Sequence, residues 1–329
     1  MKKIVFALIV LLLLSGTVWS EELTWPPPPE MSRIKFVQTV RGPSDLKIKK
    51  SFFKKLWEFI AGDELEGLIR PVALTVQGDI ICVTDVVYAG FHLFNLKTNS
   101  YKIITPKAVK LTSPTGAVFA GDGRLLLADS VIKKVFTFSD KGVFTGEFAA
   151  GFPFQRPTSL AVSPVDGSVW VSDTLAHQVF KFSPTGEKLL TLGKRGEKNG
   201  EFNYPTGITI GKDGRVYVCD TLNVRLQVFS STGKFLFKLG RHGDSTGDFA
   251  HPKAVALDSE GNIYIVDGLF DAIQIFNEKG KLLLVFGQRG TRNGEFYVPA
   301  SIFIDEKDRI FVSDSYNGRM QIFQYLREF

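Results

Sequence analysis

The sequence is poor in the residues that usually carry chemistry. Among 329 residues there are two cysteines, four histidines and three methionines. His92, His177, His242 and His251 form no spaced pair on one helix or strand, so a zinc triad has no support. No Gly-x-Ser-x-Gly elbow and no phosphate-cradling loop is present, which removes the common nucleophile and nucleotide motifs. Charge is mild: the formal net charge is +6, and two of those charges are Lys2 and Lys3. That balance is too weak to imply nucleic acid by itself, so no nucleic-acid partner is expected. The one long apolar run, Ile4 to Leu14, is too short for a comfortable membrane span.

That run follows the two lysines and precedes small residues at Val18 and Ser20. This is the pattern of a secretory signal over residues 1–20 with a cut after Ser20; the alternative is an uncleaved anchor. No cysteine stands near the cut, so lipid attachment there is excluded. A periplasmic or secreted protein is expected, with no stable membrane span after cleavage. Residues 21–33 contain Trp25 and the run Pro26 to Pro29, which reads as a stiff, extended linker. A ligand for a proline-reading domain is the sharper alternative.

What the sequence has in abundance is phenylalanine, 29 copies, and a phrase that repeats. An aspartate closes a short apolar run at Asp85, Asp129, Asp173, Asp220, Asp267 and Asp314, at spacings of 44, 44, 47, 47 and 47. Nine residues after each stands a phenylalanine, from Phe94 to Phe323, and about fifteen before each a proline, from Pro71 to Pro299. Between these anchors lie four strand signals. In the fourth unit they are 206–210, 215–219, 226–230 and 235–239, separated by turn clusters. Four antiparallel strands every 44 to 47 residues define a β-propeller blade. The expected fold is an all-β, six-bladed propeller over residues 34–329.

The last unit ends with its third strand, and Ile34–Val40 is an orphan strand ahead of the first unit. A ring left open would expose an edge, so this strand is expected to complete blade six. The link that follows, residues 41–70, contains "SFFKKLWEFIAG". Its apolar spacing predicts an amphipathic helix at about 51–61 on the face that carries the links between blades, here called the top. Cys82 and Cys219 fall on opposite sides of such a ring and are expected to be buried, unpaired fillers.

Segments such as "GEFNYPTGITIGKDGRVYVCDTLNVRLQVFSSTGK" and "GEFYVPASIFIDEKDRIFVSDSYNGRMQIF" resemble NHL repeats. The resemblance covers residues 71–329, most closely in units four to six. It implies a six-bladed propeller but no single function, since this fold hosts protein binders, RNA binders and a few enzymes. Similar propellers with amidating-lyase activity place metal-binding histidines near the starts of inner strands. Here the residues after the six prolines are Val72, Thr115, Thr158, Thr206, Lys253 and Ala300. A calcium ringed by carboxylates, as in lactonase-like propellers, is disfavoured as well. No cofactor and no metal are expected.

An aspartate present in all six units cannot be one catalytic residue. It reads as structural, accepting backbone N–H groups at the turn between the second and third strands. The non-repeated residues draw more suspicion. Asn223 and Arg225 recur only as Asn317 and Arg319. The top-face links carry Arg195 and Lys198, then Arg241 and His242, then Arg289 and Arg292. The opposite face collects acidic turns at Asp79, Asp122, Asp166, Asp213, Glu260 and Asp308. The expectation is a monomeric, non-catalytic scaffold that docks a protein or an anionic polymer on its basic top face. The alternative is a hydrolase or lyase with a metal-assisted site at the mouth of the central channel.

Overall fold

The computed structural model describes residues 22–48 and 66–327. Six antiparallel sheets form the blades of one ring. The inner strands are Pro71–Gln77, Pro114–Phe119, Pro157–Val162, Pro205–Ile210, Pro252–Leu257 and Pro299–Ile304. Each begins at its unit's proline, which suits an end position where one ladder donor is missing. In all six blades that proline lies directly opposite the repeated aspartate, as in Pro71 with Asp85 and Pro252 with Asp267. The register then shifts at once in every blade. Such a bulge leaves the residue after the proline out of the ladder and re-aims its side chain.

The second strands, for example Val169–Asp173, Val216–Asp220 and Ile263–Asp267, are buried along their whole length. They lie mid-blade with a neighbouring blade on each face, so they are continuously apolar instead of alternating. Trp170, Tyr264 and most of the unit phenylalanines fill the space between blades. At the third position of the inner strands the blades approach closely, and all six residues there are small: Ala73, Gly116, Ser159, Gly207, Ala254 and Ser301. A Cβ on Gly207 would stand 2.6 Å from the Ala254 backbone of the next blade.

Blade six closes the ring as expected. Ile34–Val40 pairs antiparallel with Arg319–Tyr325, which pairs with Arg309–Asp314 and then with the inner strand. A short fifth strand, Thr24–Trp25, adds outside Ile34–Val40. The described part of the proline-rich segment is therefore not a free spacer. The Trp25 ring packs 5.6 Å from Phe286 and 5.8 Å from Phe323, which ties the segment to the blade. Burial of an indole on an otherwise open edge favours this docking. The helix expected at about 51–61 lies outside the described residues. Among those residues no helix is long and apolar enough to cross a membrane.

Candidate functional site: the top face and the channel mouth

The repeated aspartates are the pegs of the top face, and all six are fully buried. Each carboxylate accepts N–H groups from two directions. Asp85 accepts from Val87 in its own turn at 3.0 Å and from Ile69 and Arg70 on the incoming link, both at 2.8 Å. Asp129 does the same with Val131, Ile132, Thr112 and Ser113. Asp267 holds Leu269 and Phe270 on one side and Ala250 and His251 on the other. Burial alone would raise the Asp85 carboxyl. Hydrogen bonds from the Ile69, Arg70 and Val87 amides, with the His92 imidazole 3.6 Å away, outweigh burial and hold it below its ordinary value.

Asn223, Arg225, Asn317 and Arg319, expected on the docking face, are turned into the protein. Arg319 is 1% exposed and Arg225 is 6% exposed. The Arg319 Nε donates to Asp314 at 2.6 Å, and its terminal nitrogens reach the carbonyls of Thr291, Arg292 and Glu295 at 2.7–2.8 Å. Arg225 repeats this with Asp220 and the carbonyls of Glu197, Lys198 and Glu201. Asn223 and Asn317 donate to the Gly196 and Gly290 carbonyls. The two sets fasten the links 193–204 and 287–298 onto the blades. Their planar forks satisfy loop carbonyls that would otherwise be buried unpaired. In the same links Gly193 and Gly287 have φ near +85°, and a Cβ on either would stand within 2.5 Å of a buried phenylalanine ring, Phe202 or Phe296.

The other six candidates do lie on exposed positions, Arg195, Lys198, Arg289 and Arg292 on these two links and Arg241 and His242 on the link 240–251. Arg241 pairs with Asp248 at 2.6 Å, and Arg289 lies 4.0 Å from Asp271 and over the Tyr297 ring. The side chains of Arg195, Lys198, His242 and Arg292 make no ion pair among the described residues. None of the ten lines the central channel. On the opposite face Asp308 is buried and holds Ser259 and Arg327.

The channel, about 1010 Å³, runs from face to face along the inner strands. Its top mouth gathers residues that flank the inner-strand prolines: Arg70, Arg156, Tyr204, His251 and Lys253, with Tyr316 from blade six. Arg70 donates to the Tyr316 hydroxyl at 2.6 Å and lies 4.6 Å over its ring. Thr158 and Thr206 bond Thr174 and Thr221 at 2.6 Å each, forming a hydroxyl collar. Burial, joined by the Arg70 charge, pushes the Lys253 ammonium below its ordinary value. Burial, joined by the Lys253 charge, pushes the His251 imidazole down as well. Only His251 of the four histidines lines the channel. His92 is buried against Tyr101, and His177 accepts the Tyr204 amide. Among the described residues no group of three or more His, Cys, Asp or Glu is placed to hold a metal ion.

This ring of six four-stranded sheets about a channel defines a six-bladed β-propeller. Within it the NHL repeat family model matches residues 154–182, and the model described as 6-bladed beta-propeller matches 211–274. No curated protein matches the sequence. Solved structures share the fold at low identity. Virginiamycin B lyase from Staphylococcus aureus, in a catalytically inactive form with quinupristin, aligns at TM-score 0.58 and 14% identity over 78% of this chain and 80% of its own. A gluconolactonase from Xanthomonas campestris aligns at TM-score 0.58 and 17% identity over 78% and 85%. An auxiliary nutrient binding protein from Bacteroides ovatus aligns at TM-score 0.62 and 13% identity over 80% and 71%.

Proposed function

We propose that the protein is exported and acts as a non-catalytic binding scaffold, docking an acidic protein or an anionic polymer on its top face. The observation that carries this reading is the set of exposed cations on the links between blades, Arg195, Lys198 and Arg292, whose side chains make no ion pair among the described residues. Two of these links are stapled from below by Arg225 and Arg319, so their outer side chains project from a fixed frame. A fixed frame lowers the ordering cost of association. The fold is shared with a nutrient binding protein, which is compatible with a role in capture. The test is a titration with polyglutamate at low and moderate salt. Binding should be salt-sensitive and fall at least about tenfold when Arg195, Lys198 and Arg292 are all replaced by Glu. A wild type that does not bind, or a variant that binds equally, would refute the reading.

A second reading, a hydrolase or lyase with its site at the channel mouth, draws support from the shifted His251 and Lys253 there. Two of the propellers sharing the fold are a lyase and a gluconolactonase. Elemental analysis of the purified protein after exhaustive dialysis separates the two: a stoichiometric metal favours the enzyme.

A further inference from the structure

The inner-strand prolines impose a pattern on the channel mouth. The residue before the proline is Arg70 in blade one, Arg156 in blade three and His251 in blade five. Alternate blades thus send a basic residue to the rim, while the blades between them supply Ser113, Tyr204 and Val298. In blade five the bulge residue after the proline is a second base, Lys253, directed to the channel with the others. The backbones of Arg70, Arg156 and His251 are pinned by Asp85, Asp173 and Asp267. Those carboxylates do not serve the cationic heads: none of the three mouth cations, Arg70, Arg156 and Lys253, has a carboxylate within ion-pair distance among the described residues. The Thr115 hydroxyl, from blade two between the two arginine blades, is buried beside the channel with no hydrogen-bond partner.

The three cations line one opening, and Lys253 feels the like charge of Arg70. Deeper in the channel the half-buried lining side chains are mostly apolar, with Val118, Val162, Ile210, Leu257 and Phe303. At the far end Asp213, Glu260, Asp305 and Glu306 outnumber Lys212 and Arg215, and Arg215 is itself paired with Asp213 and Glu278. The channel is therefore positive at the top, apolar inside and negative at the bottom, a field that orients an entering anion.

We infer that the top mouth of the channel is a binding site for a small organic acid, its carboxylate held by Arg70, Arg156 and Lys253 and its apolar body inside the channel. Arg70 and Arg156 supply the planar forks that match a carboxylate, and Lys253 supplies a point charge from the bulge. A ligand with no apolar body would leave the channel wall wet, and one with no acid group would leave the cations uncompensated. This site shares no residue with the docking surface proposed above and stands or falls separately from it.

The test is isothermal titration of the full chain with sodium octanoate, with octanamide and inorganic phosphate as comparison ligands. Octanoate should bind at one site per chain, and octanamide and phosphate at least about tenfold more weakly, the loss expected when hydrogen bonds to a charged head or the apolar contacts are missing. Lys253→Met and Arg156→Gln should each weaken octanoate by at least about tenfold. Arg156 is exposed, so its variant keeps the fold, and near-UV circular dichroism checks both. Reversing Arg195, Lys198 and Arg292 to Glu should leave octanoate binding unchanged. Octanamide binding as tightly as octanoate, phosphate binding as tightly as octanoate, or either mouth variant binding like wild type would each overturn the assignment.

Discussion

Replacing Arg319 by Met asks whether the Asn-x-Arg segments are masonry or ligand-binding surface. The guanidinium is 1% exposed and makes four hydrogen bonds of 2.6–2.8 Å, one to Asp314 and three to carbonyls of the link 287–298. Methionine fills much of the same volume, so the cavity contribution is small and the loss is chiefly electrostatic. Removing one partner of a buried ion pair costs roughly 3–5 kcal/mol. Asp314 keeps the Tyr297 amide and the Asn317 and Gln321 side chains as donors, which places the change near the lower end. With a urea slope of about 3 kcal/mol/M, a loss of about 3 kcal/mol lowers the unfolding midpoint by about 1 M. Arg292→Gln, an exposed change on the same link, should stay within about 0.5 kcal/mol of wild type. Equilibrium urea unfolding followed by tryptophan fluorescence measures both. If R319M shifts the midpoint by less than about 0.2 M, or R292Q shifts it as far as R319M, the stapling argument fails.

Two further outcomes follow from buried groups. Cys82 and Cys219 are both unpaired and buried, and burial pushes both thiols well above their ordinary range. A thiol reagent should therefore label neither in the native protein and both after denaturation; rapid native labelling would contradict their placement. His251 is held below the ordinary imidazole value, first by burial and then by Lys253. Its NMR titration midpoint should lie below about 6.5 and rise, incompletely, in Lys253→Met. Because the unfolded chain takes up this proton more readily, the contribution of His251 to stability should be intact above that value. It should decline as pH falls through the folded one. A midpoint above the ordinary value would show that burial does not dominate at the rim.

The architecture was readable because three anchors recur with fixed mutual spacing, and each has a physical task. The proline starts the inner strand, the aspartate ends the strand opposite it, and the phenylalanine fills the gap between blades. Strands read for the fourth unit lie within one residue of Pro205–Ile210, Val216–Asp220, Arg225–Phe229 and Phe235–Leu239. Trp25 was harder to place, because a proline run has no periodicity and the indole's partners, Phe286 and Phe323, lie at the other end of the chain. The site was read less well for a related reason. Residue type and spacing singled out Arg225 and Arg319 as unusual, but not the direction of their side chains. That direction is set by the third strand, which puts each arginine directly opposite its aspartate. The mouth cations come from blades one, three and five and meet only once the ring is closed. Their one sequence signal was position: each sits beside an inner-strand proline.

The closure of blade six also makes folding wait. A chain synthesised from its N-terminus exposes Ile34–Val40 early, while its partner Arg319–Tyr325 is made nearly three hundred residues later. The entropy of joining such distant segments grows only logarithmically with their separation, so the penalty on stability is modest. The penalty on time is larger, because pairings between distant segments form slowly. Until the final strand arrives, an apolar edge stands open at each end of the growing array, a hazard for aggregation. The same arrangement works as a length check: a chain cut short before Arg319 has no strand with which to seal the ring.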